Sequence, residues 1–338
     1  MIRKTGWMLV WAIVPLCGIA QQKPQYTQYV FNNLLINPAV SGIENYIDVK
    51  AAYRSQWTGL DGAPVTRTLS LSAPIGNAFV AGDAVSMSSG SDNPYSPAYA
   101  ASYQSAPPHH GLGLTLVADQ LGYTRNTDIN ATYAWHLGIS SDLNLSFGIA
   151  AGFDNTTLNT SAILLQQADD NAVNNLQSNT WSPDLGMGIW AYSADYYVGL
   201  SALQLLPRHL NLTTQNVQTL QDRRSPNFFA TAGMRFSLSD DLAVVPSALF
   251  KMMSNLPASF DLNTKMVFDG RFWIGAAYRY RDAVGGMFGL NINSLVSLSY
   301  SYDHATSAFR SVSPSTHEIV IALMLNNRNR VICPQHTF

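Results

Sequence analysis

Charge is scarce in this chain of 338 residues: Asp, Glu, Lys and Arg make up 12% of it, about half the usual share of a soluble domain. The 21 acids slightly outnumber the 19 bases, for a formal net charge of -2. A basic face for nucleic acid is thereby excluded. Cysteine is nearly missing, with Cys17 and Cys333 alone. Outside the first twenty residues no apolar run approaches the roughly 18–20 residues that a membrane-spanning helix needs. Yet 47% of the residues are hydrophobic. They are diluted by Ser, Thr, Asn and Gly rather than by Lys and Glu.

The first twenty residues have the composition of a secretory signal. Arg3 and Lys4 precede the apolar stretch 7–14, and Gly18-Ile19-Ala20 offers a cleavage site before Gln21. Cys17 invites a lipoprotein reading, but Leu16 is bulky where a lipobox wants a small residue. Cleavage after Ala20 removes both early positive charges, leaves a net charge of about -4, and keeps Cys333 as the single thiol. The expected mature chain is therefore exported without an intrachain disulfide.

What is abundant is alternation. From Ile129 every second residue reads Ile129, Ala131, Tyr133, Trp135, Leu137, and the residues between are Asn130, Thr132, Ala134 and His136. The pattern recurs at 46–54, 65–73, 112–118, 143–153, 184–192, 196–203, 228–237, 242–252, 259–268, 271–281, 283–292, 295–303 and 317–325. Period two with one apolar and one polar face predicts about fourteen strands. Short connections such as Ser193-Ala194-Asp195, Asp269-Gly270 and Asn293-Ser294 are hairpin turns. They alternate with longer polar ones at 154–183, 204–227 and 304–316.

A soluble sandwich also alternates, but it keeps a charged outer face and buries the apolar one against a second sheet. Here the non-apolar face is Gly, Ser, Asn and Thr, which suits a polar lumen. Tyr133, Trp135, Tyr278, Tyr280, Tyr300 and Tyr302 stand on the apolar face near strand ends, as an aromatic girdle does. Closure satisfies every backbone group in hydrocarbon. The expected fold is all-β, an up-and-down antiparallel transmembrane β-barrel of about fourteen strands, occupying residues 46–325.

Two stretches break the rhythm. Residues 21–45 precede the first strand without alternation. Residues 75–110 are long where a short turn is due, and read as an insertion; a hairpin pairing 79–87 with 98–103 is the alternative. A tail, 326–338, follows the last strand, and Pro334 argues against a further strand there.

The pre-barrel segment QKPQYTQYVFNNLLINPAVSG and the first hairpin YRSQWTGLDGAPVTRTLSL resemble the PorP/SprF family of type IX secretion system outer-membrane proteins of Bacteroidetes. Pro24, Tyr26, Gln28, Tyr29, Asn32, Asn37-Pro38-Ala39 and Gly42 carry the likeness, with Tyr53-Arg54, Gln56-Trp57 and Asp61-Gly62-Ala63-Pro64. Later stretches, among them LNLSFGIAAGF and HEIVIALML, agree with it. The resemblance implies a non-enzymatic barrel working with other secretion components. Its partners would be outer-membrane lipids and secreted cargo, gliding adhesins included, that carries a C-terminal signal domain.

Candidate functional residues follow from both readings. Tyr26, Gln28, Tyr29, Phe31 and Asn32 can lie in a polar lumen as a plug, and Asn37-Pro38 marks a turn because the residue before Pro is pushed out of the helical region. The segment seals the pore, binds a partner, or does both. Arg54, Gln56 and Trp57 close the first strand on the outer side, with Trp57 an interfacial anchor. Arg54 and Lys50 face the lumen with Asp48, as Lys265 does with Asp261.

Enzymatic readings lack a constellation. His136 faces the lumen, away from the lipid boundary that a barrel phospholipase uses, and Asp169-Asp170 has no matching His. His109-His110 point apart in extended chain and chelate poorly. No catalytic, metal or cofactor residue is expected, and the competing function is a channel or transporter for small solutes. Partner contacts are expected on the long loops 154–183 and 204–227.

Overall fold

The computed structural model describes residues 29, 32–76, 97, 101, 103–159, 179–206, 226–253, 256–307 and 315–327. The strands are β1 (Ile47–Ser55), β2 (Val65–Ile75), β3 (His109–Leu121), β4 (Thr124–Gly138), β5 (Asn144–Leu158), β6 (Asn179–Tyr192), β7 (Tyr196–Leu203) and β8 (Asn227–Met234). They continue with β9 (Phe236–Ser237), β10 (Leu242–Met253), β11 (Leu256–Phe268), β12 (Phe272–Arg279), β13 (Ala283–Asn291), β14 (Val296–Ala305) and β15 (Ser315–Leu325). Apart from β8 and β9, which both pair with β10, each pairs antiparallel with its sequence neighbours, and β15 also pairs with β1, so the sheet closes. β8 and β9 meet β10 in one unbroken register, Gly233 opposite Ser247 and Ser237 opposite Ala243. They are one stave interrupted at Arg235. The molecule is a closed up-and-down barrel of fourteen staves.

The period-two pattern explains why these segments take these faces. On β5, Asn144, Ser146, Gly148 and Ala150 are buried, while Phe147, Ile149 and Phe153 point outward and are exposed. On β4, Thr132, Ala134 and His136 point in and Tyr133 and Trp135 point out. Large apolar side chains therefore cover the outside and small polar ones the inside. In water this arrangement is unfavourable. In a bilayer each outward Leu, Ile or Phe recovers about 1.5–3 kcal/mol by leaving water.

The two rims differ. Five connections at one rim are short, 139–143, 193–195, 238–241, 269–271 and 292–295. The connection 76–108 is long at that same rim, and the opposite rim carries the long connections 159–178 and 204–226 with shorter ones beside them. Short turns mark the periplasmic rim of such barrels.

Several strands run further than the alternation indicated. Ile75 closes β2 opposite His110, and His109 opens β3 opposite His136. Those three residues belong to the wall and not to the expected insertion. Ladder pairing on both sides extends β3 past the point where Pro107-Pro108 and the polar His pair hide the pattern. The hairpin proposed for 79–87 and 98–103 lies largely outside the described residues, as do the signal peptide 1–20 and all but the start of the tail 326–338.

Candidate functional site: a segment seated across the lumen

Ahead of β1, residues 32–46 fold back inside the barrel. Two 3₁₀ turns organise them, Asn33–Leu35 and Pro38–Val40. The second starts at Asn37, whose Oδ1 accepts from the Ala39 amide at 3.0 Å while Pro38 takes the first position of the turn. Asn is a favoured cap and Pro lacks the amide that would go unpaired there. The same Asn37 side chain donates through Nδ2 to the carbonyls of Ile189 and Leu200, 3.0 and 3.2 Å away. These two residues are directly opposed on β6 and β7. One asparagine thus caps the turn and ties it to the wall.

The rest of the segment is bonded to many staves. Ser70 Oγ donates to Asn32 Oδ1 from β2, and Ser72 Oγ accepts from the Gly42 amide at 2.7 Å. Ser41 Oγ lies 2.6 Å from Thr132 Oγ1 on β4, and Ser146 on β5 donates to the Ala39 carbonyl. Ser201 on β7 donates to the Ile36 carbonyl. Asn263 on β11 donates to the Tyr29 hydroxyl at 2.8 Å. β2 and β11 stand on opposite walls of the ring, so the segment crosses the bore. Burial holds the Tyr29 phenol well above its ordinary pKa, and it stays neutral.

Near the periplasmic rim two histidines grip the end of the turn. His136 Nε2 donates to the Ser41 carbonyl at 2.7 Å, and His109 Nε2 lies 3.1 Å from the Gly42 carbonyl. The rings stack with centroids 4.4 Å apart. Close approach here depends on missing side chains. Gly42 has φ of +70°, and a Cβ on it would fall 2.3 Å from the Gly111 Cα. A Cβ on Gly148 would fall 2.2 Å from the Ala39 amide nitrogen, and one on Gly188 2.0 Å from Asn37 Oδ1. Apolar contacts complete the seat, with Ala39 and Ile43 against Trp190, Tyr192 and Tyr197.

Toward the long-loop rim the inner wall carries a belt of alternating charge. Lys251 Nζ is 2.7 Å from Asp261, and Arg279 lies 3.8 Å from Asp261, 2.9 Å from Asp282 and 3.7 Å from Asp303. Arg54 joins Asp303 at 3.2 Å and Glu318 at 2.9 Å. The belt runs from β10 round to β1. Arg279 and Asp303 sit on β12 and β14 with β13 between them, where a Cβ on Gly285 would fall 2.3 Å from Asp303 Oδ1. The glycine leaves room for the pair to meet across a stave.

The sequence candidates are distributed as follows. Tyr29, Asn32, Asn37 and Pro38 come together in the lumen, whereas Tyr26 and Gln28 lie outside the described residues. Arg54 belongs to the charged belt. Gln56 and Trp57 sit in the turn after β1, where the Gln56 amide donates to the Pro64 carbonyl and the Trp57 amide to Thr316 Oγ1 at 3.3 Å. Asp48 pairs with Lys50 at 2.7 Å. Lys265 and Asp261 both point into the lumen, as expected. Four residues apart on one strand is roughly 13 Å, and Asp261 pairs with Lys251. His109, Lys251, Arg279, Asp303 and Glu318 were missed as partners, although inward phase marks each of them. Among the described residues no group of three or more His, Cys, Asp or Glu is placed to hold a metal ion.

A closed barrel with an inside-out surface, and with residues 32–46 of its own chain seated within the bore, defines an outer-membrane β-barrel protein. The family model for the type IX secretion system membrane protein PorP/SprF matches residues 18–323, and the chain belongs to that family. No curated protein matches the sequence. Among solved structures, Omp33 of Acinetobacter baumannii is 9% identical, covering 84% of this chain and 100% of its own at a TM-score of 0.46. The toluene transporter TbuX of Ralstonia pickettii is 11% identical over 86% of this chain and 93% of its own, at 0.48. A Pseudomonas aeruginosa FadL homologue is 10% identical over 89% and 94%, at 0.44. At these values the likeness carries no functional information.

Proposed function

We propose that this barrel is a non-enzymatic component of type IX secretion that assists the secretion or surface anchoring of cargo, adhesins among them, through C-terminal signal domains. The observation that supports it is the seated segment. A solute channel needs an open, charged constriction, whereas a partner of the secretion machinery works with its own bore closed. Here residues 32–46 hydrogen-bond to β2, β4, β5, β6 and β7, and each cation of the belt has an acid within reach. The partners would be outer-membrane lipids, cargo and other type IX components, with contact through the long connections 159–178 and 204–226. Export would use the signal over residues 1–20.

Mild-detergent purification of the tagged protein from its own host, with mass spectrometry of what accompanies it, tests this. Recovery of a large secreted protein through its C-terminal domain, or of secretion-machine lipoproteins, is the expected result. An isolated barrel that conducts ions in a planar bilayer overturns it and makes the protein a channel.

A further inference from the structure

On its outer face the wall between β4 and β10 is concave. Tyr133 and Trp135 of β4 stand on one side, Phe250 and Met252 of β10 on the other, and Ala202 and Ala230 form the floor. The hollow has a volume of about 810 Å³, inside the range of roughly 300–1,000 Å³ of ligand-binding clefts. Ala202 on β7 and Ala230 on β8, set among the larger Met187, Leu200, Phe228 and Phe250, create it. Its lining is apolar, and Ser201, which lies beneath it, turns its hydroxyl inward to the Ile36 carbonyl.

The backbone behind the hollow is paired. Met187 opposes Ala202, Ala202 opposes Phe228, and Ala230 opposes Phe250, in continuous antiparallel ladders. No strand edge is offered there, so a polypeptide strand has nothing to extend. A chain that asks for no hydrogen bonds fits instead. Among the described residues that line or border it, polar groups gather toward the periplasmic rim, where the outward Tyr133 hydroxyl lies 2.8 Å from Nδ1 of the exposed His110. Trp135 stands two residues further along β4. An imidazole, a phenol and an indole at the water boundary are a headgroup-level set.

We propose that the hollow holds one acyl chain of a phospholipid of the periplasmic leaflet, with its phosphate-bearing head at His110, Tyr133 and Trp135. The proposal rests on the barrel's place in the membrane and is independent of the secretion reading. The site backs the seat of the plug, since the opposite side of the same β6–β7 wall holds Asn37.

Native mass spectrometry of the whole barrel, delipidated and then incubated with phosphatidylethanolamine, provides the test. The expected result is a one-to-one lipid adduct that survives detergent stripping. Ala230→Trp fills the floor and should lower its occupancy at least tenfold, as should Ala202→Phe. Val284→Trp, outward on β13 and away from the hollow, should leave it unchanged. Heat-modifiable mobility on an unboiled gel establishes that each variant is folded. The proposal is overturned by a barrel that keeps only detergent, by undiminished lipid in a folded floor variant, or by equal loss in Val284→Trp.

Discussion

Valine at both Gly148 and Gly188 should unseat the plug without altering a residue of it. The strands would accept the change, because β-branched side chains suit a pleated wall. The plug would not. The new Cβ atoms would lie 2.2 Å from the Ala39 amide nitrogen and 2.0 Å from Asn37 Oδ1, and Ala39 is struck on its backbone, where no rotamer change gives relief. Overpacking costs about 1–3 kcal/mol per site, and the two hydrogen bonds of Asn37 to the wall carry about 1 kcal/mol each. A combined penalty of about 5 kcal/mol shifts the seated-to-displaced ratio more than a thousandfold. Single-channel recording in planar bilayers would show it, with the native barrel closed and the double variant conducting. A double variant that is folded by heat-modifiability and stays as closed as the native barrel would refute the claim that residues 32–46 close the bore.

Three further outcomes rest on other parts of the wall. Arg54→Met should lower the heat-modifiability midpoint, because Asp303 and Glu318 lose a shared cation; breaking a buried pair costs about 3–5 kcal/mol, less where water reaches the lumen, and an unchanged midpoint would show the belt to be energetically idle. Gly42→Ala combines a left-handed backbone with a clash at Gly111, whereas Gly59→Ala has a φ of +99° but nothing within 4 Å. Urea midpoints should fall severalfold more for the first, about 1 kcal/mol being the backbone effect alone, and equal shifts would mean that the approach at Gly111 is not tight. Ile149 and Leu238 are exposed to the same degree, 60% and 63%. Lysine at the mid-strand Ile149 should nonetheless cost about 2–4 kcal/mol in refolding into vesicles, while lysine at the rim residue Leu238 costs about 0–1. Equal costs would contradict the membrane placement.

The wall was legible because its signal is local. A stretch such as 143–153 states its own faces, inward Ser146 and outward Phe147, whatever the other strands do. The pre-barrel segment was legible as an exception, since Asn37-Pro38 cannot continue a strand pattern. Its partners were not. Ser146 meets the Ala39 carbonyl and Ser201 the Ile36 carbonyl across more than a hundred residues of chain, and neither serine differs in sequence from others with the same inward phase. The glycines on the inner face read as diluents of hydrophobicity until the plug gave Gly148 and Gly188 something to make room for.

The sequence by itself determined how many staves there are, which face of each meets lipid, and which segment stands outside the repeat. These are consequences of a two-residue period and of what hydrocarbon tolerates. The tertiary structure alone decided the register in which β15 closes on β1, that Arg54 lies between Asp303 and Glu318, and that the turn at Asn37 ends on β6 and β7. Closure and register are set by pairings that span the chain. Only when the ring is complete do side chains of one inward phase become neighbours.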